Sequence, residues 1–166
     1  MEKTAPPLRI LGIDPGSRIT GYGVINLRER ETDFVACGVI KTDTRQDFPH
    51  RLHEIFTGIN DVISTHKPQA AAVEDIFFAR NPRSALKLGQ ARGAIIVAAM
   101  SRSLAVSEFS AKQVKQAVAG YGQAAKSQVQ HMVRLLLSLN AQPSEDAADA
   151  LAIALCLANH LVNQTR

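Results

Sequence analysis

Three apolar runs open the chain, and the links between them are too short for a helix. Leu8–Ile13, interrupted only by Arg9 and Gly12, predicts a buried strand. Asp14-Pro-Gly-Ser17 carries turn residues. Gly21–Ile25 and Phe34–Lys41 predict two further strands, so the three should pair as antiparallel hairpins. The spacing then changes. Leu52, Ile55, Phe56, Ile59, Val62 and Ile63 recur with helical period over Phe48–His66, and Pro68 stops that helix. Ala70–Glu74 predicts a short strand, Ser84–Ser101 a long helix and Leu104–Glu108 a fifth strand. Ser110 can cap a helix running through Val118 and closed by Gly120. Two more helices are predicted over Ala125–Leu139 and from Ser144 to about Val162.

Strand, strand, strand, helix, strand, helix, strand, then helices is not the alternation of a doubly wound dinucleotide fold. It predicts an α/β domain with a mixed five-stranded sheet and helices on both faces. Residues 1–7 are expected to be a mobile tail, and residues 8–166 a single domain. A length of 166 residues, 46% hydrophobic and 20% charged, suits one soluble globular domain. No apolar stretch reaches the roughly 20 residues a bilayer requires. Met1–Pro7 holds no signal-peptide run, so a cytoplasmic location without membrane partners is expected. Cys37 and Cys156 lack metal-ligand spacing and are expected to be buried, reduced thiols.

The net charge of +4 hides an asymmetry. Residues 1–83 balance at 11 basic and 11 acidic side chains, whereas residues 84–166 carry 8 basic and 4 acidic. Between 80 and 134 stand Arg80, Arg83, Lys87, Arg92, Arg102, Lys112, Lys115, Lys126 and Arg134 against one acid, Glu108. Such a window is an electrostatic footprint for a polyanion, most simply nucleic acid. Arg83, Lys87, Lys115 and Lys126 are the candidate DNA-binding cations within it.

Four acids stand where acids are costly. Asp14 ends the first strand and Glu74 ends the fourth. Asp146 and Asp149 are three residues apart, on one face of the last helix. If the strands of Asp14 and Glu74 are neighbours, both carboxylates emerge at one sheet edge, where the helix start can bring in the other two. Clustered carboxylates raise one another's pKa unless a cation neutralises them. All-oxygen ligation suits Mg²⁺ or Mn²⁺. Two such ions about 4 Å apart can activate water and stabilise the leaving oxygen of a phosphodiester. Each acid also has an ordinary explanation, as a turn former, a strand-end charge or a helix-dipole partner.

Six segments together resemble one family. Leu11-Gly-Ile-Asp-Pro-Gly-Ser-Arg-Ile-Thr-Gly-Tyr-Gly-Val24 is similar to the opening motif of RuvC-type Holliday-junction resolvases. So are Ala72-Val-Glu-Asp-Ile-Phe-Phe-Ala-Arg-Asn81, Ser84-Ala-Leu-Lys-Leu-Gly-Gln-Ala-Arg-Gly93, Gln113-Val-Lys-Gln116, Lys126-Ser-Gln-Val-Gln-His-Met-Val133 and Asp146-Ala-Ala-Asp-Ala-Leu-Ala-Ile153. The resemblance runs from about Leu8 to about Ala158. It implies an RNase H-like fold and a homodimeric, Mg²⁺-dependent endonuclease with two ions per site, for which Mn²⁺ can substitute. Its implied substrate is a four-way DNA junction, nicked in two opposed strands during recombination and repair, alongside a RuvA–RuvB branch-migration motor. Asp14, Glu74, Asp146 and Asp149 match the family's acidic, metal-binding site. Lys115 and Lys126 match its basic residues near the junction. Phe77 matches an aromatic that stacks on a base near the crossover. Asp75, an acid beside Glu74, departs from what the resemblance leads one to expect.

The helix Ser84–Ser101, with Leu86, Leu88, Ile95 and Val97, is a candidate for part of a dimer interface or for the protomer's own core. Three other functions compete. A phosphotransferase of the sugar-kinase and actin type shares the Gly-Ile-Asp-x-Gly opening but needs a longer chain. A noncatalytic binder of branched DNA would not need all four acids. A small RNase H-like nuclease acting on RNA lacks a reason for the Ser84–Gly93 and Lys126–Val133 motifs.

Overall fold

The computed structural model describes residues 5–76 and 81–165. Five strands form one sheet: β1 (Leu8–Asp14), β2 (Ile19–Arg28), β3 (Glu31–Lys41), β4 (Ala70–Asp75) and β5 (Ala105–Ser110). Their spatial order is β3-β2-β1-β4-β5. The first three are antiparallel, and β4 and β5 run parallel to β1. Five helices cover the sheet: α1 (Phe48–His66), α2 (Pro82–Ser101), α3 (Ala111–Ala119), α4 (Lys126–Leu136) and α5 (Glu145–Gln164).

Strand alternation sends successive side chains to opposite faces, and the two cores follow that parity. Leu11, Ile13, Val24, Ala71 and Val73 pack on α1 and α2 through Ile55, Ile59, Ala91 and Ile95. Ile10, Ile25 and Ala72 face the other way, against α5 with α3 and α4 beyond it. Helix α5 is apolar nearly all round, with Ala150 through Ala158 continuously buried, as befits a helix enclosed on every side.

Local signals set most of the ends. Asp47 accepts a hydrogen bond from the His50 amide to start α1, and Lys67 ends it in the left-handed region before Pro68. Ser110 and Gln113 form a reciprocal capping box on α3, which Gly120 closes at φ 89°. Helix α4 stops at Leu136, three residues short of the sequence expectation. Ser138 turns left-handed there (φ 50°), and the Leu139 amide bonds back to the Arg134 carbonyl. Strands β2 and β3 extend beyond their apolar centres because the hairpin ladder continues through Arg28 and Glu31. Cys156 is buried but Cys37 only half so. Both are free, and burial raises both thiols, Cys156 to about 12. No described helix is long and apolar enough to cross a membrane.

Candidate active site

Asp14 is the last residue of β1, and Glu74 lies one residue before the end of β4. The parallel register pairs Gly12 with Ala72 and Ile13 with Val73, so Asp14 and Glu74 come side by side one step further on. Parity puts both on the face of Gly12 and Ala72, towards α5. The sequence therefore needs no loop to bring these acids together.

Helix α5 reaches the strands because glycines make room for it. Gly12 and Gly23 are directly opposite each other in the β1–β2 ladder, and Gly21 is opposite Asp14. A Cβ at Gly12 would come within 2.1 Å of the Ala150 carbonyl oxygen, and one at Gly23 within 2.8 Å of the Leu151 amide nitrogen. A Cβ at Gly21 would lie 2.0 Å from the Asp146 carbonyl oxygen. Glycine at alternate strand positions marks such an approach of backbone to backbone. Ser144 caps the helix start through the Ala147 amide, so Asp146 sits in the first turn and Asp149 one turn later.

The four carboxylates sense one another. Asp14 is pushed up to about 8, first by burial and then by the charges of Glu74, Asp149 and Asp146. Glu74 is raised by burial and by Asp149, against the lowering pull of Lys115 and Lys126. Asp149 is raised by burial although Lys126 opposes the shift. The Lys126 ammonium bridges Glu145 and Asp149, 3.1 Å from Asp149 Oδ2, and these bonds raise its own pKa.

Glu74, Lys115, Lys126 and Asp149 line a cavity of about 260 Å³ floored by Val114 and Val129. Three larger clefts, beside Phe109 and His160, beside Phe34 and Leu136, and beside Tyr121 and His131, contain none of the carboxylates. Titratable chemistry identifies the site better than cavity size does. Asp14, Glu74 and Asp149, each raised, together with Asp146, whose charge helps raise Asp14 and Asp149, offer an all-oxygen donor set of the kind a hard divalent cation takes. Among the described residues, no three acid, histidine or cysteine side chains are gathered around one point. Lys126 holds Asp149 from the side.

The family model described as crossover junction endodeoxyribonuclease RuvC matches residues 10–157. This chain belongs to the RuvC family. A RuvC of Geotalea uraniireducens is 56% identical over 155 residues, covering 93% of this chain and 91% of the relative. One from Serratia proteamaculans is 57% identical over 146 residues, covering 88% and 84%. Thermus thermophilus RuvC, solved in complex with a Holliday junction substrate, superposes with a TM-score of 0.89 at 38% identity, covering 95% of this chain and 97% of that one. The fold extends to the yeast mitochondrial Holliday junction resolvase Ydc2, with a TM-score of 0.66 at 13% identity.

In this RuvC-family chain, Glu74, Asp149, Lys115 and Lys126 share one cavity, and Asp14 feels the charges of Glu74, Asp149 and Asp146. Arg83 is exposed in the first turn of α2. Lys87 is half-buried with its ammonium 5.5 Å from the Phe48 ring centroid, so part of its charge is spent on a cation–π contact. Phe77 lies outside the described residues, as does Arg80. The basic window is also less uniform than its composition suggests. Arg92 is turned inward onto Asp75 and Glu108, and Arg102 donates to Asn60.

Two contributors escaped the sequence reading. Buried Arg51 donates from Nη2 to the Ser17 carbonyl at 2.6 Å and from Nε to Thr42 Oγ1 at 3.2 Å, fixing the turn that follows Asp14. Glu145 shares Lys126 with Asp149. In the sequence, Arg51 is one charge on an amphipathic helix, and nothing local marks it as buried. The alternating glycines were a legible signal for the seat of α5.

Proposed function

We propose that this chain is a Mg²⁺-dependent endonuclease that nicks two opposed strands of a four-way DNA junction, in homologous recombination and repair. The observation that carries the reading is the coupling of Asp14 to Glu74, Asp146 and Asp149, four acids from three elements at one sheet edge beside two lysines. Mg²⁺ or Mn²⁺, two ions per site, would supply Lewis-acid activation of water and neutralise the leaving oxygen. Asp14, Glu74, Asp146 and Asp149 are the residues that would hold them. Lys115 and Lys126, which line the same cavity, would take a phosphate, and Arg83, exposed in the first turn of α2, would add a further cation for the DNA. Phe77 would stack on a base near the crossover, and a RuvA–RuvB motor would deliver the junction.

A two-fold junction calls for two such sites, and we assign the pairing surface to α2. Ile95 is fully buried in the protomer's own core and Leu88 is half-buried, so neither is free to form the interface. Leu86 is 70% exposed, Val97 59% and Met100 57%, which leaves an outward apolar stripe. Gly89 and Gly93 lie in the same stripe with open space above them, where a second helix can approach closely.

Asp14→Asn tests the assignment. It should bind a four-way junction as the parent does and fail to cut it. Cutting at the parental rate in Mg²⁺ would overturn the acidic-site assignment.

A further inference from the structure

Helix α2 contributes one side chain that reaches the acidic site from behind. Arg92 is 18% exposed at its side chain, and its guanidinium has three acceptors. Nε donates to the Glu74 carbonyl at 3.0 Å. Nη2 lies 3.5 Å from Asp75 Oδ1 and against the Glu108 carboxylate. These acceptors belong to the last two residues of β4 and to β5. The β1–β4 pairing stops at Ile13 and Val73, one step before Glu74. At the position where a carboxylate must be held, β1 no longer pairs with the strand; the β5 ladder, through Glu74 opposite Phe109 and Asp75 opposite Ser110, holds one side, and Arg92 of α2 ties the Glu74 carbonyl and the Asp75 carboxylate to Glu108 of that neighbour.

We infer that Arg92 is a positioning residue, which fixes the β4 end so that the Glu74 carboxylate points at Asp14 and Asp149 and sets the affinity of the site for its divalent cations. The inference rests on the proposed metal-dependent reading of that site. The fork geometry is what the task requires. A guanidinium presents Nε and Nη donors in one plane and can serve the carbonyl and the two carboxylates together. A lysine ammonium can balance the charge of Asp75 and Glu108 but cannot span all three acceptors. Asp75, anomalous as an acid beside Glu74 in the sequence, then has a function as the near jaw of this clamp. The positive charge of Arg92 is balanced there, which removes it from the set of cations available to DNA.

The test is Mn²⁺ binding to the DNA-free protein by calorimetry, alongside junction affinity and the Mn²⁺ dependence of cleavage, for the parent, Arg92→Lys and Arg92→Gln. Both variants should weaken Mn²⁺ binding about tenfold and move the cleavage midpoint to correspondingly higher Mn²⁺, the scale seen when a group orienting a metal ligand is removed. Junction affinity should stay within about twofold, because phosphate contacts lie elsewhere. Arg92→Lys keeps the charge beside Asp75 and Glu108 and so guards against loss of folding, which a thermal melt checks. Parental Mn²⁺ affinity in Arg92→Lys would reduce Arg92 to a charge-balancing role and overturn the inference. Equal loss of junction affinity and Mn²⁺ affinity in both variants would do the same, because it signals general damage. A parent that binds no Mn²⁺ and cuts without it would instead overturn the metal-nuclease reading itself.

Discussion

Gly21 of β2 lies against the first turn of α5, so that a Cβ at position 21 would stand 2.0 Å from the Asp146 carbonyl oxygen. The obstacle is backbone, which cannot swing aside as a flexible side chain can. Gly21→Ala should therefore destabilise the fold by about 1–3 kcal/mol, the usual range for overpacking, and lower the cleavage rate by shifting the helix that carries Asp146. Urea unfolding and a cleavage time course check it. Unchanged stability and rate would mean that α5 does not bear on the sheet at this point.

The acidic cluster should make the metal-free protein sensitive to alkali. Asp14 titrates near 8 when folded and near 3.8 as a free side chain. Between those values the folded chain keeps a proton that the unfolded chain has lost. The stabilising contribution is full below about pH 4 and is lost as pH climbs through about 8. Glu74 and Asp149 are raised in the same direction. Without divalent ions, stability should fall from about pH 5 to about pH 8, and Asp14→Asn should flatten the slope. Added Mg²⁺ should stabilise the parent more at the upper end, where the carboxylates are free of protons. Denaturant midpoints at a series of pH values measure both effects, and a flat parental profile would contradict them.

Lys126 has two duties in this arrangement. Its ammonium pairs with Glu145 and Asp149, and it lines the cavity with Lys115 and Glu74. Lys126→Met should weaken junction binding and reduce the slope of log affinity against log salt by about 0.9, the value for one phosphate contact. The loss should be similar for junctions of different sequence, since phosphates carry no base identity. A loss confined to particular sequences would point to base readout instead.

The α2 stripe predicts its own failure mode. Leu86→Asp or Val97→Glu changes a side chain that is mostly exposed in the protomer, so folding stability should move by no more than about 0.5 kcal/mol. The proposed dimer should dissociate in sedimentation, and the paired nicking proposed for it should give way to single nicks. A variant that sediments as the parent does would place the interface elsewhere.

Periodicity made most of the architecture legible. The helix Phe48–His66 matches its sequence boundaries because Asp47, Pro49 and Pro68 bracket a clean apolar stripe. The end of α4 was less legible because Leu137 and Leu139 extend the apolar pattern beyond the left-handed turn at Ser138. Asp14 and Glu74 could be matched from sequence, since each closes an apolar strand of known parity. Arg92 and Arg51 could not. Each acts through carbonyls or acids remote in sequence, and its inward orientation depends on tertiary packing that no local pattern records. Charge counting failed for the same reason at Arg92, where a basic residue is balanced by Asp75 and Glu108.

The most direct measurement is cleavage of an end-labelled, mobile four-way DNA junction, with and without Mg²⁺, beside a linear duplex of the same sequence. We expect paired, symmetric nicks in opposed strands of the junction, only when Mg²⁺ is present, and no cutting of the duplex. Equal cutting of the duplex, or cutting of the junction without any divalent cation, would contradict a metal-dependent, junction-selective nuclease.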